Sequence, residues 1–401
     1  NIVTEKAAMV SYRYGFLEME TPVFEFTDVF SRPLGESSDV IAKETYSFQD
    51  RGGTELTLRP EGTASVMRAL ISNGLTQSLP QKFFYSGPMF RYERPQKGRM
   101  RQFNQIGCEY IGSSNPLSDA EIIGCSSDIL SELGVLEKCT LYLNSLGDAK
   151  SREDYRASLV SYMLKHKDTL SSDSQRRLLI NPLRILDSKA EEDLEIVKSA
   201  PKLTNFLTTQ AKKHFDSVIK MIEKAGINWQ LDDKLVRGLD YYSHTAFEFI
   251  TDALGSQGTV LGGGRYDGLS AMLGGPDIGA VGFAAGVERL ALLIEHTKAF
   301  KYDIAVIIAD KTAETLAFAL AKELRSFGFC VDIPLANQIG KKLKRANSFG
   351  CNLSFIIGET EINNNTLQVK NMISGEQKQI KKSEAISFVK KCFEGKAKGI
   401  Q

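Results

Sequence analysis

The chain has 401 residues, 42% of them hydrophobic and 25% charged, with a formal net charge of +1. That length allows two to three domains with cores of their own, and a chain so near neutrality has no global field to draw in nucleic acid, so any polyanion site must come from local clustering. Six cysteines without a C-x-x-C pair and four scattered histidines exclude the spacings of structural zinc; free thiols point to the cytoplasm, no apolar run approaches the roughly 20 residues of a membrane span, and no signal peptide is visible.

The first predicted element is a helix over residues 2 to 14, ended by Gly15. Asn1 already lies in this helical stretch, and a few residues are expected before it. Phe16 to Pro22 alternates as a strand and stops at the proline. Phe26 to Arg32 leads into a polar loop, Gly35 to Asp39. Tyr46–Phe48 and Glu55–Leu58 read as strands joined across Gly52 and Gly53. A charged turn, Arg59-Pro60-Glu61-Gly62-Thr63, follows, with Thr63 or its neighbours capping a helix from about Ala64 to Asn73. Taken alone, Glu61 reads as a first-turn carboxylate that complements the helix dipole.

The stretch Phe90 to Glu109 is a predicted β-hairpin with a cationic tip. Arg91, Arg94, Lys97, Arg99 and Arg101 fall within eleven residues and only Glu93 opposes them, while Pro95 and Gly98 mark the turn. On the return strand a period of two puts Phe103, Gln105, Gly107 and Glu109 on one face. An aromatic ring, an amide, a gap and a carboxylate in a row, with arginines at the mouth, suit a ligand with phosphates and an amine; the plain alternative is a solvated basic hairpin.

Leu117 to Leu133 is an amphipathic helix and Thr140 to Asn144 a strand. From Asp148 to Gly226 the pattern is helical, with helices expected at 151–166, 173–180, 189–198 and 203–226, and it reads as an insertion because strand-like, glycine-rich sequence resumes after it. Leu235 to Ile250 carries a polar turn, Arg237-Gly238-Leu239-Asp240, then two tyrosines and an alternating strand with Thr245, Phe247 and Phe249. Gly262, Gly263 and Gly264 allow close backbone approach, but without G-x-G-x-x-G or a βαβ unit they are no dinucleotide fingerprint. Ala280 to Gly286 is a small-residue strand running into a helix from Val287 to Glu295, with Arg289 off its apolar stripe. From Lys301 onward strands alternate with helices, as in a small α/β domain with a mixed sheet. Its helix Gln338 to Phe349, with Lys341, Lys342, Lys344 and Arg345, either touches a phosphate backbone or faces solvent.

Three separated stretches, Phe16–Glu25, Phe90–Glu109 and Ala280–Leu290, resemble motifs 1, 2 and 3 of the class II aminoacyl-tRNA synthetases. Within that class, Leu58–Thr63, Phe90–Phe103, Leu235–Phe249 and Gly262–Leu269 resemble the bacterial-type histidyl-tRNA synthetases. The resemblance covers almost the whole chain and is thinnest in the helical insertion. It implies an α+β catalytic domain built on an antiparallel sheet flanked by helices, a helical insertion, and a C-terminal α/β anticodon-binding domain with a mixed sheet. The corresponding boundaries are 1–146 and 229–298 for the two parts of the catalytic domain, 147–228 for the insertion and 302–395 for the anticodon-binding domain. Motif 1 would lie at a homodimer interface.

The implied reaction is ATP plus histidine giving histidyl-adenylate and pyrophosphate, then transfer to the 3′ end of tRNA(His), with Mg²⁺ as cofactor. The resemblance implies that Arg91 contacts the α-phosphate and the amino-acid carboxylate, and that Arg237 lies opposite, where other class II enzymes lean more on a metal. Arg91, Arg237 and Gln105 form the implied catalytic set. Glu93, Arg99, Phe103 and Arg289 complete the ATP site, with Phe103 stacked on adenine. Glu61 and Thr63 take the α-amino group with Gln105, Gly62 belongs to the same histidine site, and Glu109 and Tyr242 contact the imidazole, with Tyr241 alongside. Arg94, Gln96, Lys97 and Arg101 meet the tRNA. Two alternatives are another class II synthetase and an inactive synthetase-like regulator, either a histidine-biosynthesis subunit or a tRNA sensor. The motifs Leu235–Tyr242 and Gly262–Leu269 oppose the first, and the retained Arg91, Arg237 and Arg289 with the third domain oppose the second.

Overall fold

A computed structural model of the chain describes residues 1–34, 44–94, 98–186, 188, 190–236, 241–295 and 301–393. The expected polar loop at Gly35–Asp39, the hairpin-tip residues Gln96 and Lys97, and the turn Arg237–Asp240 lie outside the described residues. The chain divides into two compact units, Asn1–Glu295 and His296–Gln401.

The first unit opens with α1 (Ile2–Arg13), whose Val3, Ala7 and Val10 fall on one stripe and enter the main core. Gly15, at φ +81°, takes the left-handed conformation that ends the helix. The predicted strand at Phe16–Pro22 is paired only over β1 (Leu17–Glu18). There follow β2 (Phe24–Phe26), α2 (Asp28–Leu34), β3 (Tyr46–Gln49) and β4 (Glu55–Leu58), then α3 (Thr63–Ser72). The hairpin is β5 (Gln81–Phe90) with β6 (Gln102–Ile111), and α4 (Pro116–Glu132) and β7 (Thr140–Ser145) come next. The helical stretch contains α5 (Ala149–Leu164), α6 (Ser172–Ile180), α7 (Glu191–Lys198) and α8 (Thr209–Lys224). After it come β8 (Gln230–Leu231), β9 (Ser243–Ile250), β10 (Thr259–Arg265), α9 (Leu269–Met272), β11 (Ala280–Gly286) and α10 (Val287–Leu293).

Eight strands form one sheet in the order β1-β5-β6-β11-β10-β9-β7-β8. The six central strands are antiparallel, whereas the short edge strands β1 and β8 pair in parallel with β5 and β7. Alternation sorts the side chains to two faces. Ile106 and Cys108 of β6, Val281, Phe283 and Ala285 of β11, and Phe247 and Phe249 of β9 enter the core beneath α1, α4 and α8. The intervening residues face the other way, where Phe83, Tyr85, Ile111, Ala246 and Ala280 form a smaller core with Ala64, Val66 and Met67 of α3. In the helical stretch Tyr155, Leu159 and Met163 of α5 pack with Leu178 and Val197 in a core of its own. Helix α8 behaves otherwise: its Val218 and Ile222 enter the main core.

The second unit holds β12 (Ile304–Ile308), α11 (Glu314–Ser326), β13 (Val331–Asp332), α12 (Ile339–Ser348), β14 (Leu353–Ile357), α13 (Glu359–Asn363), β15 (Thr366–Asn371), β16 (Gln377–Lys381) and α14 (Ala385–Cys392). Its sheet, β13-β12-β14-β15-β16, is mixed: β12 is parallel to both neighbours, and β15 is antiparallel to both of its own. The unbroken apolar run of β12 follows from burial on two faces, Ile304 and Val306 in one core and Ala305 and Ile307 in another.

Candidate active site

The cleft face of the first unit is laid out in cross-strand rows. Gln105 on β6 stands opposite Gly286 on β11, Gly107 opposite Ala284, and Glu109 opposite Gly282. The next strand continues the last two rows with Gly262 and Gly264. Polar side chains therefore rise from β6 over a floor of small residues. The space is needed: a Cβ on Gly282 would lie 1.8 Å from Oε2 of Glu109. Above this floor is a cleft of about 350 Å³ whose walls include Glu61, Thr63, Arg91, Glu93, Arg99, Phe103, Gln105, Tyr241, Tyr242, Glu248, Glu288 and Arg289. The structure thus brings together ten of the sequence-assigned residues from four separate stretches, while Arg237, Gln96 and Lys97 fall outside its described part.

The turn before α3 supplies the first wall. Arg59 is buried and is spent on the fold, donating from Nε to the Pro88 carbonyl at 2.9 Å and from Nη1 to Thr21 O and Oγ1 at 2.8 and 2.9 Å. Glu61 caps the helix: its carboxylate accepts the backbone N–H of Thr63 at 2.6 Å and of Ala64 at 2.9 Å. Of Thr63 and its neighbours, Gly62 takes the N-cap position without a side chain to offer, and the Glu61 carboxylate supplies the cap. Burial raises the Glu61 pKa, opposed by those two N–H groups and by the Arg91 charge.

Thr63 turns its hydroxyl to Glu109, donating to Oε1 at 2.7 Å, and Tyr266 donates to the other oxygen. Glu109 is fully buried and is absent from the cleft surface. Burial pushes its pKa up to about 8, and the Glu61 charge adds to the rise while the hydroxyls of Thr63 and Tyr266 resist it. Tyr241, Tyr242 and Tyr266 pack as a cluster with ring centroids 4.8 to 6.1 Å apart. Four buried polar atoms of cleft residues have no hydrogen-bond partner among the described residues; Oε2 of Glu93 and Nε of Arg99 face each other as an ion pair, which leaves Oε1 of Gln105 and the hydroxyl of Tyr241. Such atoms are costly unless a ligand meets them.

Cations gather at the other end. Arg91 is fixed by Nε to the Pro60 carbonyl at 2.9 Å, and its guanidinium lies 5.4 Å from the Phe103 ring centroid. Arg289 donates to the carbonyls of Gly98 at 3.2 Å and Thr259 at 2.7 Å, joining the hairpin to β10. Burial lowers its pKa, and the nearby charges of Arg99 and Arg91 lower it further. Three crowded guanidinium groups favour an anion between them. Arg99 pairs with Glu93 at 3.1 Å. Arg94 is exposed, and Arg101 lies over the Tyr92 ring at 4.2 Å.

Sequence reasoning missed two cleft-wall residues, Glu248 and Glu288, and two buried tyrosines that contact site residues. Tyr85 passes so close to Gly62 and Gly107 that a Cβ on either would come within 2.3 Å of its ring. Tyr266 sits inside the glycine-rich stretch, where its neighbourhood was the available signal. Glu288, beside Arg289, accepts the backbone and side-chain N–H groups of Asn104 at 2.9 Å each, and Glu248 accepts from Thr259 at 2.9 Å.

A family model described as histidyl-tRNA synthetase matches residues 2–290, and one described as an anticodon binding domain matches residues 303–392. A histidine–tRNA ligase of Rhodospirillum rubrum is 52% identical, and one of Gluconacetobacter diazotrophicus 50%, each alignment spanning 94% of this chain and 91% of the relative. The structure of apo Staphylococcus aureus histidyl-tRNA synthetase superposes with a TM-score of 0.80 at 35% identity, covering 97% of this chain and 95% of that one. A Bacillus halodurans structure described as an ATP phosphoribosyltransferase regulatory subunit/histidyl-tRNA synthetase shares the fold, with a TM-score of 0.64 at 20% identity over 89% and 92% of the two chains.

Proposed function

The chain belongs to the histidyl-tRNA synthetase family, and from that premise we propose how its cleft ligates histidine to tRNA(His). The enzyme is a histidine–tRNA ligase, and the regulatory alternative is not favoured. In the first step a histidine carboxylate oxygen attacks the α-phosphorus of ATP, the new P–O bond forms, and pyrophosphate leaves. In the second, the 3′-terminal hydroxyl of the tRNA attacks the activated carbonyl and AMP leaves.

The observation that carries the residue assignment is the unpartnered, buried Oε1 of Gln105, on the cleft that Glu61 and Arg91 also line. An acceptor in that place suits the α-amino group of an amino acid whose carboxylate lies toward Arg91. Arg91, Arg99 and Arg289 line the phosphate end, where fixed cations meet charge that develops on phosphoryl oxygens. Phe103, with Arg91 near its ring, offers the adenine platform. Arg237 lies outside the described residues, and we assign it to this set on the sequence resemblance, four residues before Tyr241 of the cleft wall. For the imidazole, the Tyr241 hydroxyl is the first unsatisfied polar group, and Glu109 stands behind it with Thr63 and Tyr266. A polar pocket of this kind rejects apolar side chains because they leave its groups unpaired.

Among the described residues no group of three acidic, histidine or cysteine side chains could hold a metal by itself. The donor set fits Mg²⁺ carried largely by ATP phosphates, with Glu248 on the cleft wall as the protein carboxylate. Bound there, the ion would neutralise phosphate charge. Homodimerisation is supported by the exposed apolar side chains Met9, Tyr12 and Leu17 on α1 and β1, and by Phe24 and Phe26 beside them in sequence. The match of the second unit to an anticodon-binding model supports tRNA binding there, for which we assign basic α12, and we assign Arg94 and Arg101 to the acceptor end. A cytoplasmic site of action agrees with six free cysteines, and among the described residues no helix is long and apolar enough to cross a membrane. ATP–pyrophosphate exchange measured with each of the common amino acids tests the proposal. Exchange with histidine alone is expected, and no exchange with any of them overturns it.

A further inference from the structure

The two tyrosines at the histidine end of the cleft are held from behind by the helical stretch. Arg152, in the first turn of α5, donates from Nη1 to the backbone carbonyl of Tyr242 at 2.7 Å. Two residues on, His244 has a left-handed backbone at φ +46°, which a side-chain-bearing residue adopts only where its surroundings enforce it. The enforcement is visible. The His244 N–H donates to the Gly147 carbonyl at 2.9 Å, and its own carbonyl accepts from the Leu146 N–H at 2.6 Å, so the turn is clamped to the segment that leads into α5. Its ring lies against His214 of α8 with centroids 5.0 Å apart. The starts of α5 and α8 are tied in turn: the Thr208 hydroxyl donates to Asp148, the α5 cap, and the Thr208 N–H donates to the Ser151 hydroxyl at 2.9 Å.

We propose that Arg152 is a positioning residue for the Tyr241–Tyr242 turn, through which the helical stretch sets the shape of the histidine end of the cleft. A charged donor on a half-buried peptide carbonyl is among the stronger single contacts available. It fixes the peptide that follows Tyr242, between the tyrosine pair and His244, and Arg152 itself is not among the residues that line the cleft. This rests on the assignment of Tyr241 and Tyr242 to histidine.

The test is pyrophosphate exchange by full-length Arg152→Ala, Arg152→Lys and Tyr241→Phe enzymes. Arg152→Ala should raise KM for histidine about tenfold, the scale of one lost charged hydrogen bond, with KM for ATP and kcat unchanged, and Arg152→Lys should recover part of the loss. A double Arg152→Ala, Tyr241→Phe enzyme should lose less than the sum of the single effects, because both act through one turn. If Tyr241→Phe raises KM for histidine and Arg152→Ala does not, the positioning role is overturned and the tyrosine assignment stands. If Tyr241→Phe has no effect, that assignment fails first. Equal rises in KM for histidine and ATP, or loss of folding in both Arg152 variants by circular dichroism, would show that Arg152 serves the fold at large and overturn the proposal.

Discussion

The Thr63 hydroxyl donates to Oε1 of Glu109 at 2.7 Å, and this bond joins the first residue of α3 to the middle of β6. One turn therefore holds two carboxyl groups: the Glu61 carboxylate caps α3, and the Thr63 hydroxyl meets that of Glu109. Thr63→Val should destabilise the first unit by about 1–3 kcal/mol, the cost of leaving a buried acceptor short of a partner. It should also weaken histidine binding more than ATP binding. Urea unfolding and separate KM values read the two effects, and an unchanged midpoint with unchanged KM for histidine would refute the linkage.

The raised pKa of Glu109 makes a pH prediction with a definite sign. The folded protein keeps this proton up to about pH 8, while the unfolded chain releases it near 4.5. Between those values the native state binds more protons than the unfolded state, so stability falls as pH rises through this window and the loss is complete above about pH 8. Glu109→Gln removes the titration and should flatten that part of the profile. Unfolding free energies for parent and variant at several points from pH 5 to 8 provide the check; parallel curves would mean that Glu109 titrates as an ordinary carboxylate.

Two glycines give a contrast between crowding and backbone strain. A Cβ on Gly282 would lie 1.8 Å from Glu109 Oε2 and 2.5 Å from the Cys108 carbonyl, in the middle of the sheet. Gly226, at φ +77°, has nothing within 4 Å of its Cβ position. Gly226→Ala should cost only the left-handed backbone penalty, about 1–2 kcal/mol. Gly282→Ala should cost more than the usual 1–3 kcal/mol of overpacking, since backbone cannot yield, and it should impair exchange activity by displacing Glu109. Similar melting temperatures for the two variants would contradict this.

Much of the cleft was legible because strand alternation is a local rule. Period two alone put Phe103, Gln105 and Glu109 on one face, and they share it. In the second unit the sign was a different one: β12 stands out as an unbroken apolar run because both of its faces are buried. What failed to show depends on distant partners. Tyr85 lies in an apolar strand and is marked only by Gly62 and Gly107, which come to it through α3 and β6. The Glu288–Asn104 contact joins residues 184 apart. Strand β16 was missed because its mostly exposed, polar residues form a strand through pairing with β15 rather than through burial. Phe16–Pro22 reads as a longer strand than forms, since only Leu17 and Glu18 find a partner on β5.

The ion pair between Arg99 and Glu93 bears on ATP. If Arg99 meets an outer phosphate, it must exchange Glu93 for it, and 40% of its side chain is already exposed to do so. Arg99→Ala should therefore raise KM for ATP about tenfold or more, as for a lost charged contact, while KM for histidine stays close to that of the parent. Exchange assays with each substrate varied in turn would show it. A rise confined to histidine would place Arg99 at the wrong end of the cleft.

The two units have separate hydrophobic cores: none of the core residues grouped with β12 and β14 belongs to the cores around β6 and α3. The division falls after Glu295. Removing residues from 301 onward should therefore leave the first unit folded, with its cleft walls intact, since every wall residue of the cleft lies between Glu61 and Arg289. Histidine-dependent pyrophosphate exchange should persist. Transfer to tRNA should fall at least tenfold, about 1.4 kcal/mol of lost binding, because basic α12 goes with the removed unit. The comparison is exchange rate against aminoacylation rate on the same truncated protein. Loss of exchange together with charging would show that the first unit depends on the second for its fold, and equal retention of both would remove the second unit from tRNA recognition.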